Sequence, residues 1–269
     1  MSLVVGFVGA GRMGSPMVRR LLDAGHRVIV FARKPEVRDQ VRGWGVEPVD
    51  SAAAVATAAD VVITCLFSDD QVIEVLGGPD GVLASARPGT PVVSHATGTV
   101  STVTGLAAEF GSGGVLLDGP VSGSAEDVAG GHLTVLLGGP GEAVTRALPV
   151  LAAYADPVIV TGPLGTALSV KLVNNALFAA NAQLVAAAVA LGERLGTSGE
   201  QLLAALSQCS GNSYAANAIR RTGGLAAFTK NAAPFLRKDV AACLSAAGEL
   251  GVDLGELATV IRTGPLGLS

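Results

Sequence analysis

The sequence is short of charge and of cysteine. Charged residues fill 15% of its 269 positions against 49% hydrophobic. That balance excludes a mainly disordered chain, since disorder needs low hydrophobicity and high charge. Cys65, Cys209 and Cys243 are widely spaced and odd in number, which excludes a disulfide framework or a cysteine metal cluster and fits a reducing, cytoplasmic setting; no metal site is expected. Basic residues are outnumbered 18 to 22, and a pI near 5.4 argues against nucleic acid as a partner. The first residues, MSLVVGFVG, lack the basic region of a signal peptide. Glycine is abundant, 36 residues, yet shows no three-residue period, so a collagen-like chain is excluded.

What is present is enough apolar sequence for a sizeable core, with mean hydropathy +0.52. The first 160 residues alternate short β-branched runs with helical stretches. Residues 3–8 form a continuous apolar run ending in glycines, the pattern of a buried strand. Residues 27–31, 61–66, 91–94, 115–117, 133–137 and 157–160 read as further strands, and 12–24 as a helix. Strands separated by helical spacers imply parallel βαβ crossovers and a doubly wound α/β sheet. After Gly165 strand signals stop and Ala-rich helical periodicity runs on, with breaks expected at 196–199, 211–213, 223–224 and Pro234. The expected organisation is an α/β domain over 1–164 and an all-helical region over 165–269. The latter opens with a long interdomain helix, about 45 Å at 1.5 Å per residue. Residues 172–191 have the length of a membrane span. Asn174, Asn175, Asn181 and Gln183 interrupt them and Lys171 precedes them; amides are costly in lipid, so the reading is a helix buried in protein, with no membrane partner.

Gly9-Ala10-Gly11-Arg12-Met13-Gly14 follows the first strand and opens a helix. In this GxGxxG, the first glycine permits a tight turn, the second lets a pyrophosphate approach the backbone, and the third lets helix pack on strand. The context makes it a dinucleotide site, with Arg12 and Met13 in the turn. Leu66 and Phe67, at the end of a central strand, fall where cofactor lies in a doubly wound sheet. The second strand ends in Phe31-Ala32-Arg33-Lys34. No acidic residue stands there to take a ribose 2′-hydroxyl, and Arg33 and Lys34 suit a 2′-phosphate; NADP(H) is expected in preference to NAD(H).

Three segments together resemble the β-hydroxyacid dehydrogenase family. They are Gly6-Phe7-Val8-Gly9-Ala10-Gly11-Arg12-Met13-Gly14-Ser15-Pro16-Met17, then Asp118-Gly119-Pro120-Val121-Ser122-Gly123-Ser124 continuing to Gly130-Gly131-His132-Leu133-Thr134, then Lys171-Leu172-Val173-Asn174-Asn175. The resemblance implies a Rossmann-type N-terminal domain and interconversion of a small β-hydroxyacid with its semialdehyde or keto form by hydride transfer. It implies a general acid/base role for Lys171 with support from Asn175. Ser122, Gly123 and Ser124 would bind a substrate carboxylate; Thr97 would stand near substrate and nicotinamide, and Lys238 near the cofactor. It also implies a homodimer or homotetramer. The residues agree with these roles on their own terms. A lysine early in an apolar helix loses part of its preference for the charged form on burial, and Asn175, at i+4, shares its helix face. His95, His26 and His132 read as loop histidines without a catalytic role. Departures from the family pattern, Ser94, Ser124, Ala167 and a shortened 228–239 stretch, fall around the expected substrate pocket. An NADPH-dependent imine reductase and a non-catalytic dinucleotide sensor or scaffold are the alternatives; the presence of Lys171 speaks against the first, and the set Lys171, Asn175 and Ser122 against the second.

Overall fold

The computed structural model describes residues 2–249 and 251–268. The chain divides into two compact units, 1–171 and 172–269. The first contains, in chain order, β1 (Val4–Val8), α1 (Gly14–Asp23), β2 (Arg27–Phe31), α2 (Pro35–Arg42), α3 (Ala52–Ala58), β3 (Val61–Thr64), α4 (Asp69–Leu76), α5 (Val82–Ser85), β4 (Pro91–Ser94), α6 (Val100–Phe110), β5 (Val115–Asp118), β6 (Val121–Ser122), α7 (Ala125–Gly130), β7 (Leu133–Gly138), α8 (Gly141–Leu151) and β8 (Ala155–Gly162). The helix α9 (Thr166–Arg194) runs across the division, and α10 (Gly199–Leu206), α11 (Tyr214–Arg221), α12 (Leu225–Glu249) and α13 (Glu256–Thr263) follow.

The strand order is β2-β1-β3-β4-β5-β7-β6, with β8 on β7. The apolar runs are strands because both sheet faces are covered. Phe7, Ile63, Val93 and Leu117 pack on α1 and α8 through Met17, Leu21, Ala147 and Leu151. Their neighbours Val62, Val92 and Leu116 point the other way, onto Val55, Leu76, Leu83 and Leu106 of α3 to α6. That is the period of two that a pleated strand imposes.

β1 to β5 are parallel, but the sheet is not parallel throughout as the sequence pattern implied. β7 runs antiparallel to β5 and β6, with Asp118 opposite Gly138 and Val121 opposite Val135. A parallel crossover needs a helix long enough to return the chain to the strand's starting edge. Here only the six-residue α7 intervenes, and Gly131, at φ +76°, turns the chain straight back. The eleven-residue α8 then suffices for the parallel return to β8.

The first turn of α9 belongs to the α/β unit, beyond the end of β8 where the texture of the sequence changes. Ala167 and Leu168 are buried, and Leu168 packs with Val103 and Leu106 of α6. In the second unit, Ala176, Ala179, Ala180 and Ala186 on α9 meet Leu203, Ile219, Phe228, Leu236 and Val240; small side chains let the helices approach closely. Gln183 is buried among them. Its Nε2 donates to Ile261 O and its Oε1 accepts from Leu266 N–H, both at 2.8 Å, so both ends of the amide are paired, as burial demands. Pro234, expected to break a helix, lies inside α12. Ala233 and Leu236 beside it are buried in the cluster, and that packing carries the helix past one missing amide. α9 has the length and hydropathy of a span, and 56% of its most apolar window is buried within the protein.

Candidate active site

Val8 stands opposite both Phe31 and Thr64, so the turns after β1, β2 and β3 leave the sheet at one edge. They surround a cleft of about 990 Å³. Residues 9–14, Arg33, Lys34, Leu66 and Phe67 all line it. The three glycines differ in what they permit. Gly9 has φ +95°, and a Cβ there would collide with the Cys65 carbonyl. A Cβ on Gly14 would strike the Gly9 carbonyl and the Phe7 ring, 2.8 Å away in the latter case. At Gly11 a Cβ would meet nothing within 4 Å, so its backbone is bare toward the cleft. Met13 precedes α1 without a side-chain cap, which leaves the helix N-terminus able to receive an anion. The residues present fit a dinucleotide pyrophosphate.

At the far end, Arg33 pairs with Glu74 at 3.3 Å, an exposed contact of the kind worth about 0–1 kcal/mol. Lys34 precedes α2, whose first turn begins with Pro35. Phe67, 61% exposed, donates its N–H to Gln71 Oε1 at 3.0 Å.

The loop carrying Thr97 is pinned from α4. Asp69 Oδ2 accepts the Thr99 N–H at 3.0 Å, and Gly98 leaves the room for that carboxylate. Thr97 itself is half-buried. On the next strand, Ser122 closes β6 and Gly123 takes φ +138°. Ser124 caps α7 in a reciprocal capping box. Its N–H and hydroxyl both go to Asp127 Oδ2, at 2.7 and 2.9 Å, while its Oγ accepts from Asp127 N–H. With the donors of Ser124 so engaged, the hydroxyl of Ser122 and the N–H of Gly123 are the groups on this turn suited to a carboxylate.

Lys171 is half-buried on α9, five residues into the helix, and Asn175 stands one turn further on, 5% exposed. Asn174 Nδ2 donates to Asn175 Oδ1 at 3.3 Å. The Asn175 Nδ2 has no hydrogen-bond partner among the described residues, a buried donor in want of an acceptor. Lys238 lies on α12, in the second unit.

Sequence reasoning missed two buried polar groups. His95 is a loop residue directly after β4, as expected, but a buried and partnered one. It is 4% exposed; its Nδ1 lies against Gly119 O and its Nε2 lies 2.7 Å from the Tyr154 hydroxyl. A carbonyl only accepts, so Nδ1 carries the proton and Nε2 accepts from Tyr154. Burial pushes His95 down to about 4 and pushes the Tyr154 phenol up; both stay neutral. Asp118, fully buried at the end of β5, accepts the N–H of Gly165 and of Leu168, each at 2.8 Å. A strand-end aspartate in an otherwise apolar run was the one available signal.

The model of the NAD-binding domain of 6-phosphogluconate dehydrogenase matches residues 4–162, and that of the NAD-binding domain of NADP-dependent 3-hydroxyisobutyrate dehydrogenase matches 165–263. Mitochondrial 3-hydroxyisobutyrate dehydrogenase of Mus musculus is 32% identical over 222 residues, 82% of this chain and 66% of that protein, so the match spans just under two thirds of the mouse protein's length. L-threonate dehydrogenase of Cupriavidus necator is 35% identical over 216 residues, 80% of this chain and 73% of that one. Among solved structures, 3-hydroxyisobutyrate dehydrogenase of Mycobacterium tuberculosis with L-serine has a TM-score of 0.87 at 29% identity, covering 97% of this chain and 92% of that one.

Proposed function

The chain belongs to the β-hydroxyacid dehydrogenase family, and from that premise we propose that it is an NAD(P)-dependent oxidoreductase interconverting a small β-hydroxyacid and its semialdehyde or keto form. The observation that carries this reading is the buried, unpaired Nδ2 of Asn175 one helical turn from Lys171. A donor left unsatisfied in a native interior costs about 1–3 kcal/mol, and a substrate oxygen held between it and the lysine would supply the missing acceptor.

A nicotinamide dinucleotide, when bound, supplies or takes up the hydride. The backbone at Gly11 and the N-terminus of α1 would hold its pyrophosphate. The Ser122 hydroxyl and the Gly123 N–H would hold the substrate carboxylate, and Thr97 would flank the reacting end. Lys171 Nζ would give its proton to the carbonyl oxygen in reduction and take the hydroxyl proton in oxidation. Asn175 Nδ2 donates to that same oxygen and orients it. Turnover of a panel of C3–C4 hydroxyacids and semialdehydes with both cofactors tests the reading. Tight cofactor binding with no turnover of any of them would make the protein a sensor.

Arg33 and Lys34 support a preference for NADP(H). Arg33→Asp is expected to weaken NADPH by about 1.5–3 kcal/mol, the range of a charge-assisted pair, and to leave NADH nearly unchanged. The Glu74 ion pair is too exposed to compete. Calorimetric titration with both cofactors checks this; equal affinities in the unmodified protein would refute it.

Assembly as a homodimer or homotetramer through the helical half completes the proposal. Val173, Leu177, Leu184 and Leu191 on α9 are 49–61% exposed, and their spacing of four, seven and seven residues sets them along one helix face. Light scattering at micromolar concentration should give at least twice the chain mass, and Leu177→Asp with Leu184→Asp should reduce it to one. A monomeric mass for the unmodified protein would contradict the proposal.

A further inference from the structure

At the N-terminus of α9 the Thr166 N–H is met locally, by Pro163 O at 3.1 Å. The Gly165 and Leu168 amides are instead met by a carboxylate from a strand almost fifty residues earlier: Asp118 Oδ1 accepts from Gly165 and Oδ2 from Leu168. Acceptors for these amides are obligatory in a buried setting, and a negative group at a helix N-terminus also meets the positive end of the helix dipole. The surroundings are cut to this contact. Across the sheet, Gly138 faces Asp118, and a Cβ there would press on Asp118 Oδ1 and come within 2.9 Å of Pro163 O. Gly165 bends at φ +91°, where a Cβ would come within 2.7 Å of Val100 Cγ1.

The position of Asp118 in the chain gives the contact a consequence. Its main chain runs directly on through Gly119 and Pro120 to Ser122 and Gly123, and the Gly119 carbonyl is held by His95. Its side chain holds Leu168, which lies three residues before Lys171, on the same helix face. One residue therefore joins the turn suited to a carboxylate and the helix turn that carries the lysine.

We propose that Asp118 is a positioning residue: by clamping the first turn of α9 to the end of β5, it sets where Lys171 Nζ stands relative to a substrate anchored at Ser122 and Gly123. This rests on the reading of Lys171 given above. Misplacing a reacting group by about 1 Å can cost on the order of 10²-fold in rate, whereas anchoring of the carboxylate and of the cofactor does not pass through this contact.

The test is a double-mutant cycle. Asp118→Asn replaces one acceptor by a donor that faces an N–H. Gly138→Ala displaces the carboxylate with every charge kept, and carries the test if Asp118→Asn does not fold. Either is expected to lower kcat about 10–100-fold with KM and NADPH affinity within about threefold. In a Lys171→Ala background the same changes should lower kcat less than threefold, because the group they position is gone. Amide hydrogen exchange, followed without substrate or cofactor, should speed up at least tenfold at Gly165 and Leu168. Equal losses of kcat in both backgrounds, or a loss in KM alone, would reduce Asp118 to a structural cap and overturn the proposal. Full turnover by Lys171→Ala alone would remove its premise, and is distinguishable because the exchange at Gly165 and Leu168 would still respond to Asp118→Asn.

Discussion

Lys171→Ala is expected to lower turnover by roughly 10²–10⁴-fold with the best substrate, the usual contribution of a positioned general acid or base. NADPH affinity should change little, because the cleft that fits the dinucleotide phosphates is built from the turns after β1, β2 and β3, while Lys171 sits on α9. Lys171→Arg should fail as well, since a guanidinium does not give up its proton near neutral pH. Asn175→Ala should show a smaller loss, because its amide orients an oxygen and transfers nothing. Oxidation should accelerate as pH rises, because only the neutral amine accepts the hydroxyl proton. Steady-state rates in both directions, with cofactor affinity measured separately, check all of these; a Lys171→Ala protein with full turnover would mean that this helix has been misread.

The second large effect is on stability. His95 is driven by burial from an ordinary value of 6.5 to about 4. Between those values the unfolded chain takes up a proton that the folded one refuses, so folding is opposed as pH falls. At about 1.4 kcal/mol per unit, the protein should lose about 3 kcal/mol of stability between pH 6.5 and pH 4 through this residue. The loss should be absent above pH 7. Protonation also turns Nε2 from acceptor to donor, so the Tyr154 hydroxyl would have to turn and accept where it had donated. His26 is lowered too, chiefly by burial, and acts with the same sign. The decisive comparison is therefore His95→Gln against the unmodified protein in urea titrations at pH 7 and pH 4.5. The gap in stability between them should narrow at the lower pH, by on the order of 2 kcal/mol on the same conversion. Asp60 does not confuse the result. Its carboxyl is held down chiefly by the Val4 N–H, so its contribution is present above its ordinary value and lost only in a more acid range. A gap independent of pH would show that His95 titrates normally in the folded state.

Much of this protein is written in local pattern. The glycine turn, the β-branched runs and the alanine-rich stretch are read from neighbours in the chain, because turn chemistry, the periodicity of apolar residues and helix propensity are local properties, even where the pairing that holds a strand is not. The strand Arg27–Phe31 and the helix Thr166–Arg194 lie where the periodicity of the sequence puts them, and the GxGxxG of residues 9–14 lies at the mouth of the cleft. The cations that end β2 are there for the same reason.

Other features had no local mark. The reversal of β7 came from a helix too short to carry the chain across. In sequence the hydroxyl of Ser124 reads as a substrate-binding group; its position three residues before Asp127 allowed a capping box, and the fold realised it. Pro234 stays inside a helix because the packing of its neighbours outweighs one lost hydrogen bond. His95 and Tyr154 are 59 residues apart, and Asp118 reaches 47 and 50 residues to Gly165 and Leu168. A buried polar group must find a partner wherever the fold provides one, and that partner is chosen by the order of strands in a sheet, which no window of sequence contains. By itself the sequence determined most of the elements and the dinucleotide turn, and it proposed the groups for the chemistry. Which of those groups are paired, which are left open, and what holds the lysine helix at its start were decided by the tertiary structure, because hydrogen bonds are made across space between residues that local propensity never brings together.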